Sequence, residues 1–277
     1  MSADMTRREL LGSVGTVGLL GLSGCLGATP LVSNRSEESE TISLEDAASI
    51  AIVGDIGQIS VAGADRDDVG LEIVKESDSV RTDLEDLTLE TERTDGRLEL
   101  RSEWDGSEGW LASRPSMDLN VEIPREVALE RVETSTGRIT VRDVAGDLHA
   151  DTGTGRVDIA GVDGTVSTET STGRVEIRDV ERLGDVSAST GRISVEVPAI
   201  DGETTISAST GRVTAAVSEA VDADLRVETS TGRIDVDDLS LENATRGEDS
   251  VAGRLGDGGP RLRIETNTGR VTIESLE

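Results

Sequence analysis

Apolar and polar residues alternate in short runs on either side of a recurring glycine, and this unit repeats along most of the chain. The triplet Thr-Gly-Arg recurs with its glycine at Gly137, Gly155, Gly173, Gly191, Gly211, Gly232 and Gly269, at spacings of 18, 18, 18, 20, 21 and 37 residues. Weaker copies centre on Gly57 and Gly96. Seven and five residues before the glycine stand Leu148 and Ala150, Val166 and Thr168, Leu225 and Val227, Leu262 and Ile264. Three and one before it stand Thr134 and Thr136, Thr152 and Thr154, Ala188 and Thr190, Ala208 and Thr210. Two and four after it come Ile139 and Val141, Val157 and Ile159, Val175 and Ile177, Ile193 and Val195. Such alternation on both sides of a glycine predicts two short strands meeting at a bend, with these positions facing inward. Glycine permits a backbone geometry there that a Cβ would penalise. A second bend is expected at Asp/Gly-rich pieces such as Asp143 to Asp147 and Gly161 to Gly164. The inward threonines should bond their hydroxyls to backbone or to one another.

One unit cannot bury its own apolar side, but stacked units can, because equivalent positions fall above one another at the ~4.8 Å strand spacing. The expected fold is therefore all-β: a single-stranded β-solenoid with coils of 18 to 21 residues. Two alternating inward runs per coil do not fit the sub-period of a left-handed hexapeptide helix, which favours a right-handed, pectate-lyase-like β-helix. A propeller would need a period nearer ~40 and aromatic signatures, and a sandwich would not need near-identical consecutive units. The solenoid is expected over 43–277, with irregular coils at 43–130, regular coils at 131–242, an inserted glycine-rich loop at 243–260 and a last coil at 261–277.

The region before the repeats has a different character. Thr6-Arg7-Arg8-Glu9-Leu10-Leu11 reads as a twin-arginine export signature, and the apolar run that follows ends in Leu22-Ser23-Gly24-Cys25, a lipobox. That run is too short for the ~20 residues of a bilayer-crossing helix. Residues 1–24 are thus read as a signal peptide and Cys25 as the lipidated first residue of the mature chain, placing the protein on the extracellular face of the membrane. Two acyl chains suffice for stable anchoring. Residues 25–42, with Pro30, several serines and acids and little to bury, read as a flexible acidic linker. Asn34-Arg35-Ser36 and Asn243-Ala244-Thr245 fit the N-glycosylation pattern. Cys25 is the only cysteine, which excludes disulfides and thiolate metal sites within one chain.

Charge narrows the partners. With 56 acids against 27 bases the chain carries a net charge of −29, and Lys75 is its only lysine. Such a surface disfavours nucleic acid and anionic headgroups, and reads as adaptation to high salt in a salt-loving archaeon. Phe and Tyr are missing and only Trp104 and Trp110 are aromatic, so the core must be thin enough for aliphatic side chains and threonine to fill.

The Ser-Thr-Gly-Arg coils, the Met117-to-Pro124 strand segment and the lipoprotein signal together resemble an envelope family grouped as putative adhesin. The resemblance implies a single β-solenoid domain and a non-enzymatic surface role with no set ligand. The family pattern usually has Asn or Asp after the glycine, whereas this chain has Arg.

That arginine row, Arg138, Arg156, Arg174, Arg192, Arg212, Arg233 and Arg270, is the most unusual candidate site. Each should point outward and stack on the next. The row could bind repeating anions such as acidic envelope polysaccharide, or merely balance charge with Glu133, Asp151, Asp158, Glu169, Glu176 and Asp235. Envelope polysaccharide or surface-layer protein are the partners it suggests, and nucleic acid is not expected. Inward Thr-x-Thr pairs argue against an ice-binding face. Trp104 and Trp110 suit packing over a solenoid flank better than a sugar platform. A lone His149 at an outward position is read as surface. No metal-ligand spacing, phosphate loop or nucleophile elbow appears, so neither catalytic residues nor a cofactor is expected. A polysaccharide-cleaving solenoid is the alternative, and would show a cleft with clustered carboxylates.

Overall fold

The computed structural model describes residues 34–79, 82–106 and 114–276. Arg7, Arg8, Cys25 and Trp110 lie outside the described residues. The rest forms thirteen strands in one mixed sheet, and no helix occurs among the described residues.

The regular repeats form β7 (Ala128–Ala145), β8 (Leu148–Val197) and β9 (Thr204–Ser218). They stack in parallel and in repeat register, with Thr134 opposite Thr152, Gly137 opposite Gly155 and Gly191 opposite Gly211. Alternation then places like side chains in columns: Val132 and Ala150 before the glycine, and Ile139 and Val157 after it, are fully buried. The second bend falls where expected. Asp143, Gly161 and Asp179 occupy equivalent positions with φ of 54°, 70° and 51°, a left-handed conformation that glycine and Asp tolerate best. Beyond it the Asp147 carboxylate accepts the Thr165 backbone N–H at 2.8 Å, and Asp185 accepts that of Thr205 at 2.8 Å. The Thr165 backbone N–H is also the main reason why the Asp147 carboxyl lies below its usual range.

The first bend corrects the alternation. Thr134 and Thr152 are buried as expected, but Thr136, Thr154, Thr190 and Thr210 are exposed, as are the serines Ser135, Ser189 and Ser209 before them. The chain turns between these two residues, and a corner sends consecutive side chains outward where a flat strand would alternate them. The buried hydroxyls differ too. Thr134 donates to the Asp55 carbonyl at 3.1 Å, whereas Thr152, Thr170, Thr229 and Thr266 find no partner among the described residues.

At the amino-terminal end β2 (Ser49–Ala64) lies under β7, with Gly57 opposite Gly137. Its other side is covered by two strands that come later in the chain, β5 (Arg97–Trp104) over its first half and β6 (Ser116–Pro124) over its second. Beyond these, pairing becomes antiparallel: β4 (Leu87–Thr94) joins β5, β3 (Val69–Ser77) joins β6, and β1 (Asn34–Ile42) joins β3. Gly96 is therefore not a copy of the repeat glycine. Asp95 and Gly96, with φ of 52° and 78°, form the two-residue turn of the β4–β5 hairpin, the mirror-image turn that Asp-Gly favours. Residues 34–42 are likewise not linker: they form a paired strand, held in part by an ion pair between Lys75 Nζ and Glu38 at 3.0 Å.

The carboxyl-terminal end departs from chain order. β13 (Arg261–Leu276) lies between β9 and β10 (Ala223–Val236), so Gly269 faces Gly211 on one side and Gly232 on the other. The segment read as an inserted loop contains a hairpin, β11 (Glu242–Arg246) and β12 (Ser250–Leu255), whose second strand pairs with the first half of β10.

Candidate functional site: an arginine-lined groove

The groove follows from the glycine column. Each repeat glycine presses its backbone on the next. An added Cβ at Gly155 would lie 1.6 Å from the Gly137 carbonyl oxygen, and one at Gly191 would lie 1.8 Å from that of Gly173. The corner is thus bare of side chains, and the next residue outward is arginine in every coil from Gly137 on, with Gln58 in the Gly57 coil. The column runs Gly57, Gly137, Gly155, Gly173, Gly191, Gly211, Gly269, Gly232, and the arginines follow the same order. Arg270 therefore sits between Arg212 and Arg233, an adjacency that chain order does not suggest. Glycines and arginines from Arg156 to Arg233 together line a shallow groove of about 990 Å³, whose lining includes no carboxylate.

Pairing along this row is uneven. Arg156 bridges Asp158 at 2.7 Å and Glu176 at 3.0 Å, and chiefly the Asp158 bond raises its pKa above the ordinary arginine value. Arg270 reaches Asp235 at 3.9 Å. Arg138, Arg174, Arg192, Arg212 and Arg233 have no carboxylate within 4.0 Å among the described residues. Arg156 has Asp158 two positions on, whereas Arg138, Arg192 and Arg212 have Thr140, Ser194 and Thr214 there, and Asp235, two after Arg233, lies within reach of Arg270 instead. Glu176, beside Arg174, is held by Arg156 and by Arg178 at 2.9 Å.

The other acids expected to balance the row lie elsewhere. Glu133 pairs with Arg131, and Glu133, Asp151 and Glu169 make a column of their own on the leg before the corner. Burial pushes the Asp151 carboxyl above its usual range, and the charges on Glu133 and Glu169 add to the shift. The exposed threonines at the corner, among them Thr172, Thr190 and Thr210, add one outward hydroxyl per coil beside the arginines. Alternation alone assigns these threonines to the core, whereas the Ser-Thr pair before Gly137, Gly173, Gly191, Gly211 and Gly232 marks the corner where alternation ends.

The remaining candidates fall apart from the groove. Trp104 packs half-buried on the flank of the core, with the Arg114 guanidinium 5.5 Å from its ring centroid and Arg114 paired to Asp55 at 2.9 Å. His149 is half-buried on β8, opposite Arg131. The Asn34 amide donates to the Thr82 carbonyl at 3.1 Å, while Asn243 is exposed at a φ of 51°. Among the described residues no group of three or more His, Cys, Asp or Glu is placed to hold a metal ion.

Comparison with known proteins adds the following. No curated protein matches the sequence. Among solved structures the chain is similar to a "putative cell adhesion protein" from Clostridium sporogenes, with 12% identity, a TM-score of 0.38 and coverage of 88% of this chain and 100% of that one. It is also similar to a "putative lipid binding protein" from Parabacteroides distasonis, with 16% identity, a TM-score of 0.40 and coverage of 87% and 96%. A "putative adhesin" from Parabacteroides merdae shows 11% identity, a TM-score of 0.33 and coverage of 86% and 95%. The family model described as Toastrack DUF4097 matches residues 81–274, well over half of the 277. The chain belongs to the Toastrack DUF4097 family.

Proposed function

We propose that this protein is a lipid-anchored surface module of a salt-loving archaeon, a right-handed solenoid that holds an anionic envelope polymer along its arginine row and catalyses nothing. The unpaired run Arg174, Arg192 and Arg212 carries this reading. In a chain with 56 acids and 27 bases, carboxylates are in excess, and many arginines outside the row hold one, among them Arg66, Arg101, Arg131, Arg226 and Arg263. Three consecutive arginines left without one, along a groove, are poorly explained by charge balance. A lining of glycine and arginine also supports binding over cleavage, since glycoside hydrolysis draws on a pair of carboxylates.

The triple variant Arg174→Gln, Arg192→Gln, Arg212→Gln tests the row. Co-sedimentation of the purified protein with isolated cell envelopes should fall at least tenfold. Stability should change by under ~1 kcal/mol per site, as for exposed charges. Envelopes that retain the variant as well as wild type would reduce the row to charge balance.

Anchoring is tested separately. Cys25→Ser should shift the protein from the membrane fraction to the medium or to an uncleaved precursor. Processing and retention like wild type would remove the lipobox reading.

A further inference from the structure

Taking the row as an anion-binding face, we infer that its occupant is a linear polyuronate, an unbranched polysaccharide with one carboxylate on every sugar, lying along the stack. Three features of the groove support this class. The first is spacing. Arg174, Arg192, Arg212, Arg270 and Arg233 belong to five successive coils, so they repeat at the strand spacing of ~4.8 Å. One pyranose ring spans much the same distance, so successive carboxylates can meet successive guanidiniums. Each planar guanidinium can take a carboxylate through two parallel N–H donors, and an anion between neighbouring arginines relieves their mutual repulsion.

The second feature is the absence of side chains at the glycine corner, which leaves a polymer room to lie against the backbone. The third is hydrogen bonding. Thr172, Thr190, Thr210 and Thr268 expose one hydroxyl per coil beside the row, a match for the ring hydroxyls of a sugar. Single-stranded nucleic acid, the competing polyanion, is held by aromatic side chains on which bases stack. The groove lining contains none.

The experiment uses the purified full chain and three probes: galacturonate oligomers of increasing length, hyaluronan fragments with a carboxylate on every second ring, and oligothymidylate, compared at equal total charge by calorimetry. Galacturonate affinity should rise with length and level off at about five residues, one for each of the five coils from Arg174 to Arg233. Hyaluronan and oligothymidylate should bind at least tenfold more weakly. Arg212→Gln should weaken galacturonate binding about tenfold, as expected for a lost charged hydrogen bond. Equal binding of all three probes would overturn the polyuronate assignment while leaving the anion-binding row intact. Preference for oligothymidylate or hyaluronan would overturn it as well. If no probe binds and Arg212→Gln changes nothing in envelope binding, both the assignment and the row's binding role fall.

Discussion

Gly155→Ala is expected to destabilise the protein by about 3–5 kcal/mol, a large share of the total stability of an ordinary domain. The new Cβ would sit 1.6 Å from the Gly137 carbonyl oxygen, on a residue whose φ of +155° already disfavours a side chain. Relief by movement is closed off in both directions. Gly173 approaches Gly155 from the other side in the same way, its own added Cβ falling 1.9 Å from the Gly155 oxygen. A shift away from one neighbour therefore presses on the other. Gly202→Ala is the control, because nothing lies within 4 Å of its added Cβ, and it should stay within ~0.5 kcal/mol of wild type. Denaturant unfolding of both variants decides the matter. A Gly155→Ala protein as stable as the control would show that the corner has slack.

Ile264→Asp should cost at least about 4 kcal/mol, by placing a carboxylate without a partner in the core. Ile264 is fully buried on β13, opposite Ile206 of β9 on one side and Val227 of β10 on the other. If the coils stacked in chain order, β13 would be terminal and a carboxylate at this position could tilt toward water. A loss below ~1 kcal/mol in denaturant unfolding would therefore argue that β13 is not enclosed.

The regular coils were legible in the sequence because two independent signals agree on them. The Thr-Gly-Arg triplets set the register, and columns such as Val132–Ala150 and Ile139–Val157 set the inward face. The slot of β13 was not legible, for the same reason that the repeat was. Leu262, Ile264, Val271 and Ile273 fit beside Ile206 and Val213 as well as beside Val227 and Ile234, so pattern alone cannot order the coils. β1 gave no apolar alternation because most of its side chains are exposed and backbone pairing holds it. Gly96-Arg97-Leu98 copies the repeat pattern, whereas Asp95 before it marks a hairpin turn. In the groove the arginines were legible as a row. Their pairing was not, because acids close in sequence, such as Glu133 and Asp151, lie in a different column.

The enclosure of β13 also bears on how the molecule is made. A ribosome delivers β9 first, then β10 with its hairpin, and β13 only afterwards. Until that strand emerges, β10 lacks its parallel partner, and β9 lacks the neighbour on its far side. Long-range pairings of this kind form slowly, so a nascent chain carries two unsatisfied sheet edges until β13 docks. Such edges invite pairing with another chain. A chain cut short before β13 keeps them open, whereas β13 closes both as a single strand. The position of β13 thus makes the arrival of one strand the condition for closing both edges.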